Sequence, residues 1–196
     1  MYSGADATKH YRGGYMKIEH EWERKVILYI AFSLDGYIAG PKGEIDWLPS
    51  GGGEDYGYKE FMAGIDTILM GRKSYELILT FGRWEYPGIK TFVFTRNPVG
   101  MERDDNVIFI SSDPANVVGE LRSAPGKDIW LLGGGELARS FFDAGLVDEI
   151  IIAIIPEILG DGIPLIPRGT KRTALRLTDI KRYDSGVVMM WYKVEN

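Results

Sequence analysis

Apolar and polar positions along this chain alternate between two patterns, and their order predicts the order of elements. Val26 to Phe32 is a continuous apolar run, too short for a buried helix and suited to a central strand covered on both faces. Comparable runs at Asp66 to Met70, Thr91 to Thr95, Val107 to Ile110, Ile129 to Leu132 and Glu149 to Ile155 predict further strands. Helical stretches are predicted after Glu54-Asp55, from Tyr75 to about Thr80, from Pro114 to Ser123, and from the glycines at 133–135 to about Ala144. Ser33-Leu34-Asp35-Gly36 reads as a turn, with Asp35 in a structural part, and Tyr37-Ile38-Ala39 continues until Gly40-Pro41 breaks it. Thr173 to Tyr183 and Val187 to Val194 alternate around Asp184-Ser185-Gly186, as an antiparallel edge hairpin does. The sum is a single α/β sheet, mostly parallel with an antiparallel end, whose ligands belong beyond the carboxyl ends of its strands.

The 196 residues suit one domain with an ample core. A net charge of −5 with interspersed signs argues against a nucleic-acid backbone binder, so any basic site is local. Without cysteine, disulfides, thiolate zinc sites and cysteine nucleophiles are excluded, and no metal site is expected. A reducing cytoplasm is the natural address. Met1 to Arg24 lacks the apolar core of a signal peptide and reads as a disordered extension, with Met16 as an alternative start. The most apolar window, Glu149 to Pro167, is too interrupted to span a membrane, so a soluble protein is expected.

Two junctions carry candidate chemistry. Ile129-Trp130-Leu131-Leu132 runs into Gly133-Gly134-Gly135-Glu136-Leu137-Ala138, a strand, three glycines and a helix start. Glycines admit close approach to a ligand, and the free N–H groups of a first helical turn favour phosphate. The stretch fits the weak form of the dinucleotide fingerprint and equally a tight structural turn. Met70-Gly71-Arg72-Lys73-Ser74 repeats the logic with two cations and a hydroxyl, and Arg96 follows directly on another strand. Glu54 and Asp55 stand at a helix start among Trp47, Tyr56, Tyr58 and Phe61, where a carboxylate either caps the helix or serves chemistry.

Ile30-Ala31, Asp35 to Ala39, Trp47-Leu48-Pro49, Ile68 to Glu76, Pro87-Gly88, Phe94 to Pro98 and Leu132 to Gly135 together resemble dihydrofolate reductases. Gly145 to Glu149, Gly160 to Leu165 and Ser185 to Val188 look more like the reductase domain of bacterial riboflavin biosynthesis, the C-terminal half of bifunctional deaminase-reductases. The likeness covers Val26 to the C-terminus and implies a stand-alone reductase domain, 25–196, of dihydrofolate reductase-like three-layer fold. That fold has a mixed, mostly parallel sheet of about eight strands, flanking helices and a C-terminal antiparallel hairpin.

The resemblance implies NADPH. Ala31 and Ile38 would frame the nicotinamide. Gly71, Arg72 and Ser74 would hold the pyrophosphate from one side and Gly133, Gly134, Gly135, Glu136 and Leu137 from the other, with a cis peptide between Gly133 and Gly134. Thr95 and Arg96 fall where the 2′-phosphate is read, and a guanidinium fork suits that dianion. The catalytic carboxylate would be Asp55, with Glu54 second and Asp46 on the loop behind them. Asp55 either has a raised pKa and passes a proton or stays ionised and accepts two N–H bonds. Trp47, Tyr58 and Phe61 would contact substrate.

Two departures bear on the substrate. The arginine that grips folate after Pro-Gly is Ile89 here, a loss of about 2–3 kcal/mol of folate binding, and the threonine on the strand 149–155 is read as Ile152. The expected activity is therefore NADPH-dependent reduction of a small pterin, pyrimidine or related heteroaromatic or carbonyl compound. The alternatives are the riboflavin-pathway 5-amino-6-(5-phosphoribosylamino)uracil reductase, for whose phosphate Arg83, Lys90 and Arg168 are the basic candidates, then dihydrofolate reductase, then an NADPH-binding protein without catalysis. The apolar hairpin, and the habit of riboflavin-type reductases, imply a homodimer.

Overall fold

The structure, a computed structural model, describes residues 24–49, 54–98 and 104–195. The extension before Arg24, Met16 included, and the glycines of the 50–53 loop lie outside the described residues. Arg24 itself is only 5% exposed, so the packed fold includes a residue that the sequence pattern assigns to the extension.

In chain order the elements are β1 (Val26–Ser33), β2 (Tyr37–Ala39), α1 (Tyr58–Ala63), β3 (Ile65–Gly71), α2 (Arg72–Leu79), β4 (Lys90–Phe94), β5 (Val107–Ile110), α3 (Pro114–Arg122), β6 (Asp128–Gly133), α4 (Gly135–Asp143), β7 (Glu149–Ile155), β8 (Ile163–Pro164), β9 (Ala174–Arg182) and β10 (Val188–Glu195). Eight strands form one sheet in the order β5-β4-β3-β6-β1-β7-β10-β9, and β2 and β8 form a small antiparallel pair. From β5 through β7 every pairing is parallel; β10 is antiparallel to both β7 and β9. This is the expected dihydrofolate reductase-like architecture.

Alternation along the strands sorts side chains to the two faces. Val26 and Leu28 of β1 join Leu69, Leu131 and Ile150 under α3 and α4, which contribute Val117, Val118, Ala138 and Phe141. Ile68, Met70, Val93 and Trp130 meet Tyr75 and Ile78 of α2 on the opposite face. Ile27 shares that face with Ile151, Ala153 and Met189, where Trp47, Tyr56 and Phe61 pack. Helix α3 begins at Pro114, as its pattern predicts, and the structure adds a cap: Asp113 accepts the N–H of Ala115 at 2.8 Å.

The edge of the sheet at the strands' amino ends is pinned by charge. The Arg24 guanidinium donates to the carbonyls of Lys127 (2.6 Å) and Leu121 (3.3 Å) and to Thr67 Oγ1 (2.7 Å), and pairs with Asp66. Arg122 pairs with Asp148, whose carboxylate also accepts the N–H of Val26 at 2.7 Å.

The far edge differs from its pattern. β9 alternates in sequence, yet all nine of its residues are exposed. It is the last strand, and no helix among the described residues covers it. No described helix is long and apolar enough to cross a membrane.

Candidate functional site

Chain direction reverses at one place in the sheet. The chain leaves β3 through α2 toward β4 and leaves β6 through α4 toward β7, although β3 and β6 are neighbours. Helices starting from adjacent strands and running to opposite faces leave a crevice between their first turns. Both helices are capped by glycine, α2 by Gly71 and α4 by Gly134, without a side-chain bond to either start. The first intrahelical bond of α4 runs from Ala138 N to Gly134 O (2.9 Å), so the N–H groups of Gly135, Glu136 and Leu137 have no partner within the helix. Glu136 and Leu137 therefore bear on this crevice through their backbones.

The three glycines of the junction are glycine for different reasons. Gly133 has φ +113°, a conformation that side-chain-bearing residues rarely adopt, and its bond to Gly134 is cis, as the resemblance implied. A Cβ on Gly135 would stand 2.5 Å from the carbonyl oxygen of Pro164, because β8 crosses directly over the helix start. Gly134 has ordinary extended angles, φ −80° and ψ −168°. A Cβ there would meet only Ile38 Cδ1 and Ser74 Oγ, each at 3.8 Å, which is ordinary contact. Residues from β2, α2 and α4 thus converge on a position the protein itself leaves open.

Across the carboxyl edge the order is β4, β3, β6, β1. Strands about 4.8 Å apart spread Thr95, Gly71, Gly133 and Ala31 over about 14 Å. Thr95 directly follows β4 and its hydroxyl accepts the N–H of Asn97 at 3.2 Å, fixing the turn that carries exposed Arg96. Arg72 is already engaged, with Nε 2.7 Å from Glu76 Oε1 one turn along α2.

Asp35 is structural, as its turn suggests. It accepts from Ser33 Oγ (2.6 Å), Leu159 N (3.1 Å) and Gly160 N (2.7 Å), tying the β1–β2 turn to the segment that leads to β8. The Ser33 hydroxyl foremost, then these amides, holds its carboxyl below the usual range.

Asp55 caps the start of α1. Its oxygens accept the N–H groups of Gly57 (3.0 Å) and Lys59 (3.2 Å) at the start of α1, and these bonds lower its pKa. Desolvation opposes them but does not outweigh them, so the net shift is downward, opposite to the raised pKa wanted of a proton donor. Glu54 and Asp55 line an open pocket of about 520 Å³ with Tyr56, Lys59, Lys181 and Tyr183. Trp47 is half-buried, with its indole N–H on Glu44 O at 3.3 Å.

The Ile152 correspondence needs correction. Its side chain packs on the α4 face. The β7 residue beside Ala31 is Ala153, and Ile151 and Ala153 face the same side as the aromatic residues. A slip of one position reverses the face of a strand residue. Sequence reading also missed Tyr29, two positions before Ala31 on the same face, although the alternation of β1 carries that signal. Tyr29 meets Phe61 at 4.5 Å, and Trp130 meets Phe61 at 5.5 Å and Tyr86 at 5.4 Å. Burial foremost pushes the Tyr29 phenol up to about 12.

Residues 87–189 match the RibD C-terminal domain. The chain belongs to that family. It is 39% identical over 173 residues to the uncharacterized protein YwjB of Bacillus subtilis (strain 168), covering 87% of this chain and 99% of YwjB. Among solved structures, a Shewanella sp. PV-4 protein assigned to riboflavin biosynthesis superposes with a TM-score of 0.79 at 26% identity, covering 88% of this chain and 99% of that one. Dihydrofolate reductase from Enterococcus faecalis, in complex with NADP(H), superposes with a TM-score of 0.65 at 17% identity over 89% of this chain and 99% of its own, a likeness of fold. Family and fold together are those of reductases, and an oxidoreductase in the general sense follows.

Proposed function

We propose that this chain is an NADPH-dependent reductase for a small pterin, pyrimidine or related heteroaromatic or carbonyl substrate. The observation that carries the reading is the open position over Gly134. A glycine whose angles suit any residue, and whose missing side chain no protein atom replaces, fits a place kept for a ligand's approach. Around it stand two helix starts, and the N–H groups of Gly135, Glu136 and Leu137 have no partner within α4, a donor set that suits a pyrophosphate. Arg72 and Ser74 would hold it from α2, and the amides of Gly135, Glu136 and Leu137 from α4. Thr95 and Arg96 would take the 2′-phosphate at the β4 end, and Ala31 and Ile38 the nicotinamide at the β1 end. That order across the edge is the order of the cofactor's own groups. When bound, NADPH supplies a hydride; the chain's residues orient it.

Titration with NADPH and NADH, followed by nicotinamide fluorescence, tests the reading. A preference for NADPH above about tenfold, worth about 1.4 kcal/mol, that collapses in Arg96→Ala is expected. Binding of neither cofactor would refute it. Cofactor binding without NADPH oxidation across a panel of heteroaromatic and carbonyl acceptors would leave the non-catalytic alternative.

Family membership favours the riboflavin-pathway substrate as second reading, and the basic residues weigh against it. Lys90 opens β4, at the edge opposite the crevice, and Arg83 is solvated and 3.5 Å from Glu85. Neither joins Arg168 in a phosphate site.

We infer a homodimer built on β9. Leu175, Leu177 and Ile180 are 42%, 48% and 57% exposed on an edge strand, a surface that soluble monomers avoid. The absence of cysteine supports a cytoplasmic address.

A further inference from the structure

Helix α1 carries Tyr58 and Phe61, which the reductase reading sets against substrate, and Glu54 and Asp55 precede it; yet little in the helix itself fixes its place. It is six residues long and buries none of them fully. A helix so short does not hold itself in water. Tyr56, two positions before it, has φ +52° and is the one non-glycine residue with a positive φ among the described residues. A bulky side chain in that conformation costs free energy and persists only where its surroundings over-determine it. Glycine would take the same angles freely, as Gly57 beside it does at φ +80°, so a tyrosine at position 56 is there for its side chain. The Tyr56 ring meets Tyr183 edge-on at 4.9 Å, and its hydroxyl donates to Ser185 Oγ at 3.2 Å. Its carbonyl oxygen lies 3.5 Å from the Tyr29 hydroxyl. Both anchors are fixed by other means. Tyr29 belongs to β1, in the body of the sheet, and the β9–β10 turn is closed by bonds from Tyr183 N to Val187 O and from Gly186 N to Tyr183 O, each 3.0 Å. Tyr183 is buried, and with Lys181 it lines the same pocket of about 520 Å³ as Glu54 and Asp55.

We propose that Tyr56 is a positioning residue of the substrate site. Pinned between β1 and the β9–β10 turn, it sets the start of α1, and with it Tyr58, Phe61 and the acids Glu54 and Asp55, where they meet a ring lying against the nicotinamide. The proposal rests on the reductase reading and deepens it: the turn of the C-terminal hairpin, which touches neither glycine junction, becomes part of the substrate site. Its weak link is the single bond between the Tyr56 and Ser185 hydroxyls, and that bond is open to removal from either side.

Pterin, a flat ring bearing both an amino and a carbonyl group, is the probe. It is titrated by ligand-observed NMR into the full chain, alone and saturated with NADP+, with a thermal melt of every variant. Tyr56→Phe and Ser185→Ala should each weaken pterin about three- to tenfold, the range of one hydrogen bond. The double variant should be no weaker than either, because the same bond is lost in all three. Ser185→Thr keeps a hydroxyl and should restore binding. Tyr56→Asn, whose side chain tolerates a positive φ but does not reach Ser185, should weaken pterin most. NADP+ affinity should be unchanged throughout, and Tm in the two single hydroxyl variants should fall by no more than about 4 °C. No binding of pterin by the wild type, unchanged pterin affinity in Tyr56→Phe, additive losses in the double variant, equal losses of pterin and NADP+, or a Tm fall well beyond that limit overturns the proposal. Failure of NADP+ to bind would instead overturn the reductase reading, while pterin binding by the chain alone still decides the part of Tyr56.

Discussion

Replacing Gly134 by alanine separates a glycine kept for a ligand from a glycine kept for the fold. The new methyl would sit 3.8 Å from Ile38 Cδ1 and from Ser74 Oγ, with φ −80°, so it meets no clash beyond its own chain neighbours. Losing glycine's freedom in the unfolded chain stabilises by about 0.4–1 kcal/mol, which for this size of domain raises Tm by about 1–4 °C. The same methyl occupies the space assigned to the pyrophosphate. Displacing one charge-assisted hydrogen bond costs about 1.5–3 kcal/mol, or about 10- to 150-fold in NADPH affinity. Gly135→Ala should behave in the opposite way. Its Cβ would be 2.5 Å from the Pro164 carbonyl oxygen, a backbone atom that cannot swing aside, so it should lose about 1–3 kcal/mol of stability. Thermal melts and NADPH fluorescence titrations of both variants provide the comparison. A Gly134→Ala chain that binds NADPH as the wild type does would refute the cradle. A Gly134→Ala chain that melts well below the wild type would show that the glycine serves the fold.

Three other outcomes follow from the same structure. Arg24→Ala removes a guanidinium that is 5% exposed from a partner, Asp66, that is 38% exposed. That half-solvated partner places the cost below the fully buried range, at about 2–3 kcal/mol, or a Tm lower by about 4–12 °C. Asp35 and Asp55 have folded pKa values below their unfolded ones, so their stabilisation is present above about pH 4 and is lost as pH falls through the folded values. Urea denaturation should therefore show stability dropping in acid, and Asp35→Asn should flatten that drop; an identical acid limb in the variant contradicts the hub assigned to Asp35. Ile180→Lys, in the exposed β9 edge, should yield monomers in light scattering, and a wild type already monomeric at micromolar concentration would dispose of the dimer.

Much of the fold was legible because the apolar runs are short and their breaks chemically plain. The helix opening at Pro114 and the turn at Ser185-Gly186 between β9 and β10 were both plain in the pattern. The glycine junctions were legible too, although the pattern cannot say which glycine serves which need. That depended on β8 crossing Gly135, a contact between distant parts of the chain. Ile152 was placed on the wrong face because strand facing depends on register, and register is set by pairing with β1. The meeting of Phe61 and Tyr86 on Trp130 was invisible for a similar reason: nothing local links α1 to the segment before β4. Asp55 drew attention as an acid beside aromatics, and only the geometry shows that it caps the helix start.

The most direct measurement of the central claim is a crystal structure of the chain with NADP+. The account predicts the pyrophosphate over Gly134, between the first turns of α2 and α4, with the 2′-phosphate at Arg96 and the nicotinamide against Ala31. A cofactor lying elsewhere, or one approaching from the β9 side, would contradict it.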